Sequence, residues 1–163
     1  MISNHQIAQF DRAYFLGVGG IGMSALARYF LSLGWPVAGY DKTPSPLTKK
    51  LEEEGISIHY EDFGPSLPAE FRDPEKTLVV YTPAIPQNFG ELLHVQHNNF
   101  VVKKRAEVLG MITRNSKGLG VAGTHGKTTT SSMLAHILDV SDEKCNAFLG
   151  GISTNFQSNF VQG

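Results

Sequence analysis

The feature that most constrains the fold of this chain is a glycine-rich turn between an apolar segment and an amphipathic one. Residues 17–22 read GVGGIG and match the pattern G-x-G-x-x-G. The short apolar run at 13–16 predicts a buried strand, and apolar residues at helical spacing after the turn predict a helix that ends near Gly34. A strand, a tight glycine turn and a helix in this order favour a parallel sheet with a ligand at the strand's carboxyl end.

The remainder of the chain repeats this alternation of strands and helices. We predict a loop at 61–76, which is polar and contains three prolines, with at most one irregular helical turn. Other predicted strands cover residues 36–40, 56–60, 77–81, 100–102, 119–122 and 147–149, and helices cover 47–54, 91–98, 105–114 and a segment after 127 with Met133, Leu134, Ile137 and Leu138 on one face. The predicted fold is therefore α/β, a Rossmann-like parallel sheet with helices on both faces.

The first glycine loop is suited to a diphosphate. Gly17 permits the tight turn, Gly19 lets the backbone approach a pyrophosphate, and Gly22 lets the helix pack closely on the strand. The start of the helix adds unpaired N–H groups and a partial positive charge. Asp41 ends the next predicted strand, where its carboxylate could accept a hydrogen bond from a ribose hydroxyl. The pattern does not say which diphosphate binds, and a packing turn without a ligand stays an alternative.

A second loop carries different phosphate chemistry. Residues 123–128 read GTHGKT, after a predicted strand and before a predicted helix. The phosphate-loop pattern G-x-x-x-x-G-K-[ST] is not met in full, because Val121 stands at its first position. The chemistry is still available: backbone N–H groups can hold phosphate oxygens, Lys127 can neutralise the β- and γ-phosphates, and the Thr128 hydroxyl can ligate Mg²⁺.

The turn-forming sequence NSKG at 115–118 marks an expected domain boundary, because a new strand and the phosphate loop follow it. Residues 1–115 would then form the Rossmann-like domain. Residues 116–163 would be the beginning of a P-loop ATPase domain, cut short.

Composition narrows the function classes. Hydrophobic residues make up 41% and charged residues 18% of the 163 residues, which is typical of a globular protein. The formal net charge of -1 leaves no long-range positive field for nucleic acid or an anionic membrane. The single cysteine, Cys145, cannot form an internal disulfide and is expected to be a small buried hydrophobe. No signal-peptide pattern and no apolar run of about 20 residues occurs, so a cytoplasmic protein is expected.

Three further groups of residues leave alternatives open. His94 and His97 could share a helix face, but no third metal ligand accompanies them, so solvent exposure is the expectation. The basic run Lys103–Arg105 is either a solvated edge or a contact for an anionic sugar-phosphate. His125 either points at a substrate or tolerates an unusual backbone conformation.

The stretches GVGGIGMSALARYFL and GVAGTHGKTTT together resemble the Mur ligases, the ATP-dependent amide-forming enzymes of peptidoglycan synthesis. His125 and the sequence of residues 17–26 are similar to those of the members that add L-alanine to UDP-N-acetylmuramate. In that family the first domain binds the UDP part of the substrate, the second binds ATP, and a third closes over ATP.

The resemblance assigns roles to particular residues. It implies that Lys127 and Thr128 act on the transferred phosphoryl group, with Mg²⁺ on the Thr128 hydroxyl. The residues implied to line the UDP-sugar are Gly19, Gly20, Ile21 and Gly22 at the diphosphate, Asp41 near the uridine, and Ala84 and Ile85 beside the substrate; those implied to hold ATP are Gly123, Thr124, His125, Gly126, Lys127, Thr128 and Thr129.

The resemblance also implies what the chain lacks. An acidic metal-binding segment and a third domain are expected beyond Gly163, so the chain is expected to be an N-terminal fragment that is inactive alone. In the family, ATP converts the muramoyl carboxylate into an acyl phosphate that the amine of L-alanine attacks. No residue here is a convincing general base, and no obligate protein partner is evident.

Two other classes of function remain open. An NAD-dependent oxidoreductase would use the first loop, but it leaves Lys127 and Thr128 unexplained. A UDP-sugar-binding or regulatory module without turnover would use the first loop and need no catalysis.

Overall fold

The computed structural model describes residues 5–114, 116–141 and 143–163. A short 3₁₀ helix at Ala69–Phe71 interrupts the long loop after the third strand. The strands are β1 (Arg12–Leu16), β2 (Val37–Tyr40), β3 (Ser57–His59), β4 (Thr77–Tyr81), β5 (Val101–Lys104), β6 (Ala147–Ser153) and β7 (Ser158–Val161), and the helices are α1 (His5–Ala8), α2 (Ile21–Ser32), α3 (Pro46–Glu53), α4 (Gly90–His97), α5 (Arg105–Thr113) and α6 (Lys127–Val140).

Five strands form one parallel sheet in the order β3-β2-β1-β4-β5. β1 lies at the centre and pairs with β2 and β4, Leu16 lying opposite Tyr40 on one side and Tyr81 on the other. The chain therefore winds outward from β1 in both directions, and the carboxyl ends of β1, β2 and β4 meet at one edge. The predicted Rossmann-like sheet is confirmed.

Helices cover both faces of this sheet. Because side chains alternate along a strand, Ala13 and Phe15 of β1 face one side while Tyr14 and Leu16 face the other. The first face packs against α2 and α5, and the second packs against α4 and the 3₁₀ helix. Burial on both sides explains why the strands read as continuous apolar runs.

The third helix shows how local sequence sets an element boundary. Ser45 caps α3: its Oγ accepts a hydrogen bond from Thr48 N at 3.1 Å, and Thr48 Oγ1 accepts one from Ser45 N at 2.8 Å. Pro46 occupies the first turn, where its missing N–H is not needed. The cap places Thr48 beneath the first glycine loop.

The strand predicted at 119–122 is not present. Residues 117–122 have no regular secondary structure in the described chain, and Leu119 is 63% exposed. A strand is stable only when a neighbour pairs its N–H and C=O groups, and none of the described strands lies beside this segment. The apolar pattern alone was insufficient to predict its conformation.

A two-stranded antiparallel hairpin follows α6. β6 is longer than the predicted strand at 147–149, and β7 was not predicted. The hairpin pairs Phe148 with Phe160 and packs on α2, where the Tyr29 ring lies 5.5 Å from Phe148 and 6.0 Å from Phe160. The segment after the phosphate loop thus contacts the helix that follows the first loop.

The predicted apolar face of α6 forms but is largely uncovered. Met133 is 62% and Ile137 61% exposed, and Ala135 is the buried residue of this helix among those described. Cys145 is half-buried rather than buried, and partial burial raises the pKa of its thiol. In the part of the chain that the structure describes, no helix is long and apolar enough to cross a membrane.

Candidate functional site

The first loop turns sharply at the carboxyl end of β1. Gly17 has φ +88°, a left-handed conformation that side chains disfavour, and a Cβ there would lie 2.5 Å from Thr82 Cγ2. Its N–H donates to Tyr40 O at 2.8 Å, which ties the loop to the end of β2. The tight turn predicted for Gly17 therefore requires glycine for two reasons: its positive φ and the lack of space for a Cβ.

Gly19 is required by crowding rather than by its dihedral angles. A Cβ on Gly19 would lie 2.7 Å from Thr48 Cγ2 and 2.8 Å from Asp41 Oδ2. Real Cβ atoms do not approach neighbours that closely, so the loop would have to move. The backbone of the loop is held down against α3 and the end of β2.

Asp41, predicted to contact a ribose hydroxyl, also bonds to the backbone of the first loop. Its Oδ2 accepts a hydrogen bond from Gly19 N at 2.7 Å, and its Oδ1 accepts one from Thr43 N at 3.2 Å. The carboxylate is half-exposed at the end of β2, beside the first loop. It therefore fixes the loop's shape and remains accessible at the place predicted for a ribose.

The start of α2 is an uncapped helix N-terminus. Gly20 occupies the N-cap position and makes no side-chain capping bond. The first N–H groups of a helix have no partner within the helix, so those following Gly20 point toward the loop's open side. With the helix dipole they form a site for a negatively charged group. The residues predicted for the diphosphate (Gly19, Gly20, Ile21 and Gly22) are contiguous here.

At Gly22, predicted to let the helix pack closely on the strand, the nearest neighbour is a side chain of α5. The heavy atoms nearest to a Cβ placed there are all from Arg105, with Nη1 and Cδ at 3.0 Å. The Arg105 side chain crosses the first turn of α2 and would have to move by a few tenths of an ångström if residue 22 carried a Cβ. Arg105 is exposed, and its guanidinium forms no ion pair with any described residue. Of the basic run, this residue is the one brought to the loop.

A cavity of about 330 Å³ lies beside this arginine. It is open to solvent and reaches from the first turn of α2 to the hairpin strand β6. Its walls are Ile21, Gly22, Ala25, Leu26, Arg105, Leu109, Phe148, Leu149 and Gly150. The cavity therefore connects the first loop to the segment that follows the phosphate loop.

The segment TPAIP follows β4 and lies next to the first loop. Ile85 is buried in the core on the α4 side, its Cδ1 3.7 Å from a Cβ placed on Gly17. Ala84 is exposed. Of the two residues predicted to flank a substrate, Ala84 faces solvent while Ile85 supports the loop from below.

The second loop is an exposed turn before α6. Gly126 is its N-cap, with φ +76° and no side-chain capping bond, so α6 also begins with unsatisfied N–H groups. Lys127 Nζ donates to the backbone carbonyls of Gly123 at 2.7 Å and Thr124 at 3.2 Å. The lysine side chain is folded back over its own loop.

Thr128 touches the hairpin. A Cβ on Gly150 would lie 3.0 Å from Thr128 Oγ1, and one on Gly151 would lie 3.4 Å from Thr128 Cγ2. The two adjacent glycines let β6 run against the start of α6. A threonine hydroxyl is a hard oxygen donor, so its chemistry fits the proposed Mg²⁺. Thr129 follows Thr128 in the exposed first turn of α6.

The histidines do not converge. His125 is exposed in the second loop, and His94 and His97 lie on α4, where His97 Nδ1 is 2.7 Å from Leu93 O. No group of three or more metal-binding side chains occurs in the described residues.

The sequence pattern did not predict a buried polar cluster on the α4 side of the sheet. Glu91 is fully buried; its carboxylate accepts hydrogen bonds from Tyr14 Oη at 2.8 Å and Phe63 N at 2.9 Å, and lies 2.8 Å from His59 Nε2. Burial, and then the Glu91 charge, raise the pKa of Tyr14 far above its ordinary value, so its hydroxyl stays a donor. An acidic residue in a helix's first turn gave no sign of these partners.

The family model described as Mur ligase family, catalytic domain, matches residues 12–117. The chain belongs to the Mur ligase family. A UDP-N-acetylmuramate–L-alanine ligase of Parabacteroides distasonis is 60% identical over 155 residues, which are 95% of this chain and 34% of that protein. This Mur ligase chain thus spans about a third of the length of the curated relatives it matches.

Two solved structures of the Mur ligase family superpose on this chain. A UDP-N-acetylmuramate–alanine ligase from Thermotoga maritima has a TM-score of 0.81 and 32% identity, covering 93% of this chain and 35% of its own. A UDP-N-acetylmuramate:L-alanyl-γ-D-glutamyl-meso-diaminopimelate ligase from Neisseria meningitides has a TM-score of 0.79 and 27% identity, covering 93% and 46%. Each of the two structures therefore shares the fold over most of this chain.

Proposed function

We propose that the full-length protein containing these residues joins L-alanine to UDP-N-acetylmuramate with hydrolysis of ATP to ADP and phosphate, in the cytoplasm, as a step of peptidoglycan synthesis. The observation that carries the proposal is a pair of uncapped helix starts, each behind a glycine loop, one of which presents a lysine and a threonine. The names of the 60%-identical relatives supply the substrates.

Residues 1–115 form the UDP-sugar-binding domain in this proposal. Residues 19–22 hold the diphosphate with the N–H groups at the start of α2, and Arg105 neutralises part of its charge from above Gly22. Asp41 lies near the uridine, and Ala84 flanks the substrate, with Ile85 beneath it. Since Asp41 holds Gly19 N, it also keeps the loop in its binding shape.

Residues 116–163 begin the ATP-binding domain. Residues 123–129 surround the phosphates, with backbone N–H groups at the start of α6 and with Lys127, which would exchange its loop carbonyls for phosphate oxygens. Thr128 provides a hydroxyl ligand for Mg²⁺, which when bound neutralises phosphate charge.

The chemistry follows from the poor leaving group of a carboxylate. A carboxylate oxygen of the muramoyl group attacks the γ-phosphorus, the bond to the β-phosphate oxygen breaks, and ADP leaves. The amine of L-alanine then attacks the acyl phosphate carbon; phosphate departs, and the amine loses a proton. Lys127 stabilises charge on the transferred phosphoryl group, and holding the reactants together supplies much of the remaining acceleration. The 163 residues alone do not catalyse this reaction in our proposal.

Calorimetry distinguishes this proposal from its rivals. The full-length protein and the 163-residue chain are titrated separately with UDP-N-acetylmuramate, NAD and ATP–Mg²⁺. We expect saturable UDP-sugar binding by both and no NAD binding. Saturable NAD binding without UDP-sugar binding would refute the ligase function. UDP-sugar binding by a full-length protein that releases no ADP with L-alanine present would indicate a binding module instead. No obligate protein partner is needed for these measurements.

A further inference from the structure

One buried side chain joins the hairpin to the first loop. Asn159 of β7 is fully buried against α2. Its amide nitrogen donates to the backbone carbonyl of Ile21 at 2.5 Å and to Ser24 Oγ at 2.9 Å, and its amide oxygen accepts a hydrogen bond from Arg28 Nη1. Residues at these spacings share one face of a helix. Asn159 is therefore hydrogen-bonded to the first turn of α2, which contains Gly22.

Arg28, the α2 partner of the Asn159 amide oxygen, is itself held by an ion pair. Arg28 is 6% exposed, and its Nε and Nη2 donate to the two Glu54 oxygens at 2.7 and 2.9 Å. Because three of its nitrogens donate hydrogen bonds, the planar guanidinium of Arg28 is held in one orientation. Because Glu54 follows α3, the link runs from α3 through α2 to β7.

The same hairpin touches the phosphate loop at its other strand. Gly150 and Gly151 of β6 lie against Thr128, because a Cβ placed on either glycine would be within 3.4 Å of the Thr128 side chain. Asn159 of β7 therefore bonds to Ile21, Gly150 of β6 lies against Thr128, and the pairing of β6 with β7 completes the connection. It joins the first turn of α2, where the diphosphate is proposed, to the first turn of α6, where ATP is proposed.

Reaction between two ligands in separate loops depends on their spacing. The carboxylate must come within roughly 3–3.5 Å of the γ-phosphorus, and a displacement of about 1 Å can cost about a hundredfold in rate. We propose that Asn159 is a positioning residue: it fixes the first loop relative to the phosphate loop and so sets the reacting distance. The inference rests on the proposed function, because it concerns the two ligands assigned there.

The test compares three variants of the full-length protein. Asn159→Asp keeps the size and the acceptor for Arg28 but removes both donations to α2. We expect kcat to fall by about tenfold or more, with KM for UDP-N-acetylmuramate and for ATP changed by less than about twofold, because each loop is intact. Ser24→Ala removes the acceptor of one Asn159 bond, together with the Ser24 Oγ donation to Ile21 O at 3.0 Å, and leaves the bond from Asn159 to Ile21 in place; a smaller fall in kcat, about two- to fivefold, is expected. If Asn159→Asp does not fold, Ser24→Ala decides.

Phe160→Leu is the matched control. It weakens the packing of the hairpin on Tyr29 and leaves the polar link in place. We expect it to lower the melting temperature without changing kcat. A wild-type kcat in Asn159→Asp, or a fall no larger than that of Phe160→Leu at equal loss of melting temperature, overturns the positioning role.

Failure of the proposed function gives a different result. If the wild-type protein releases no ADP with UDP-N-acetylmuramate, L-alanine and ATP–Mg²⁺, that function is refuted, and hydrogen exchange then tests the link alone. Faster exchange in Asn159→Asp of both the Ser24 amide, which donates to Gly20 O, and the Thr130 amide, which donates to Gly126 O, supports the link. Unchanged exchange at either amide contradicts it.

Discussion

At the scale of single residues, the glycines of the first loop are needed for different reasons. Gly17 combines a left-handed φ with contact to Thr82, whereas Gly19 is constrained by Thr48 and Asp41 alone. Gly22 makes room for an arginine. A motif pattern treats these positions as equivalent, but the structure assigns each a separate neighbour, so their substitutions should have separable effects.

Replacing Gly19 with alanine should disturb folding and binding together. The new Cβ would press on Thr48 and the Asp41 carboxylate, and we expect the free energy of unfolding to fall by about 1–3 kcal/mol. Gly110→Ala is the control, since its Cβ meets open space in α5, and a gain of about 0.5–1 kcal/mol is expected. Urea unfolding followed by Trp35 fluorescence measures both. Equal effects would contradict the crowding of Gly19.

Removing the Arg105 charge should weaken diphosphate binding. Arg105 crosses Gly22, while the neighbouring Lys104 is exposed and lines no part of the cavity by the first loop. We expect Arg105→Gln to raise the Kd for UDP-N-acetylmuramate by about three- to tenfold, and more at low ionic strength, where an exposed charge is less screened. Lys104→Gln removes the same charge and should change the Kd by less than about twofold. Calorimetry at two salt concentrations measures both Kd values. Equal changes in the two variants would mean that Arg105 acts only through the net charge and not through its place beside the loop.

At the scale of elements, the strands and helices predicted correctly are those whose apolar residues follow the regular spacing of their own type. β1 and β4 are apolar after their first residues, Arg12 and Thr77, because both faces of the sheet are buried there, and their predicted bounds were close to those observed. β7 was missed because its first two residues, Ser158 and Asn159, are polar, which leaves only Phe160 and Val161 as an apolar signal. The apolar segment near Leu119 was predicted as a strand because sequence does not reveal whether a pairing partner lies beside it.

The candidate site was predictable to the same extent. The two loops are local motifs, so residues 17–22 and 123–128 could be named in advance. Contacts between distant segments could not, because nothing in the local pattern marks Glu91 as the partner of Tyr14, or Asn159 as the partner of Ile21. The basic run containing Arg105 was noticed, but only the fold shows which of its residues reaches the loop.

The packing of α4 depends on one buried carboxylate. Glu91→Gln would turn a donor toward Tyr14 or Phe63, both of which already donate to that carboxylate. We expect the free energy of unfolding to fall by about 2–3 kcal/mol, measured by urea denaturation. Glu53→Gln is the matched control; Glu53 is exposed and 3.6 Å from Lys50, so a change below about 0.5 kcal/mol is expected. Stability equal to that of the control would mean that the cluster contributes nothing.

At the scale of the whole molecule, the chain carries two glycine loops that are supported to different degrees. The first loop is buried at its base and held by β2, α3 and β4, whereas the second is an exposed turn held mainly at Thr128 by the hairpin. In the proposed function the first loop is preformed for its substrate, and the second rearranges as Lys127 exchanges loop carbonyls for phosphate oxygens. This asymmetry predicts that the two binding events can be separated by mutation.

Lys127→Ala in the full-length protein tests that separation. The lysine contacts only carbonyls of its own loop among the described residues, so its loss should not reach the first loop. We expect alanine-dependent ADP release to fall by about a thousandfold or more, because the transferred phosphoryl group loses its positive partner, while the Kd for UDP-N-acetylmuramate stays within about twofold. Lys117→Ala, which removes an exposed lysine before the loop, should leave both unchanged. Coupled ADP detection and calorimetry on the same preparations measure the two quantities. Loss of UDP-sugar binding along with ADP release would show that the loops do not divide the two ligands between them, since a substitution confined to the second loop would then have reached the first.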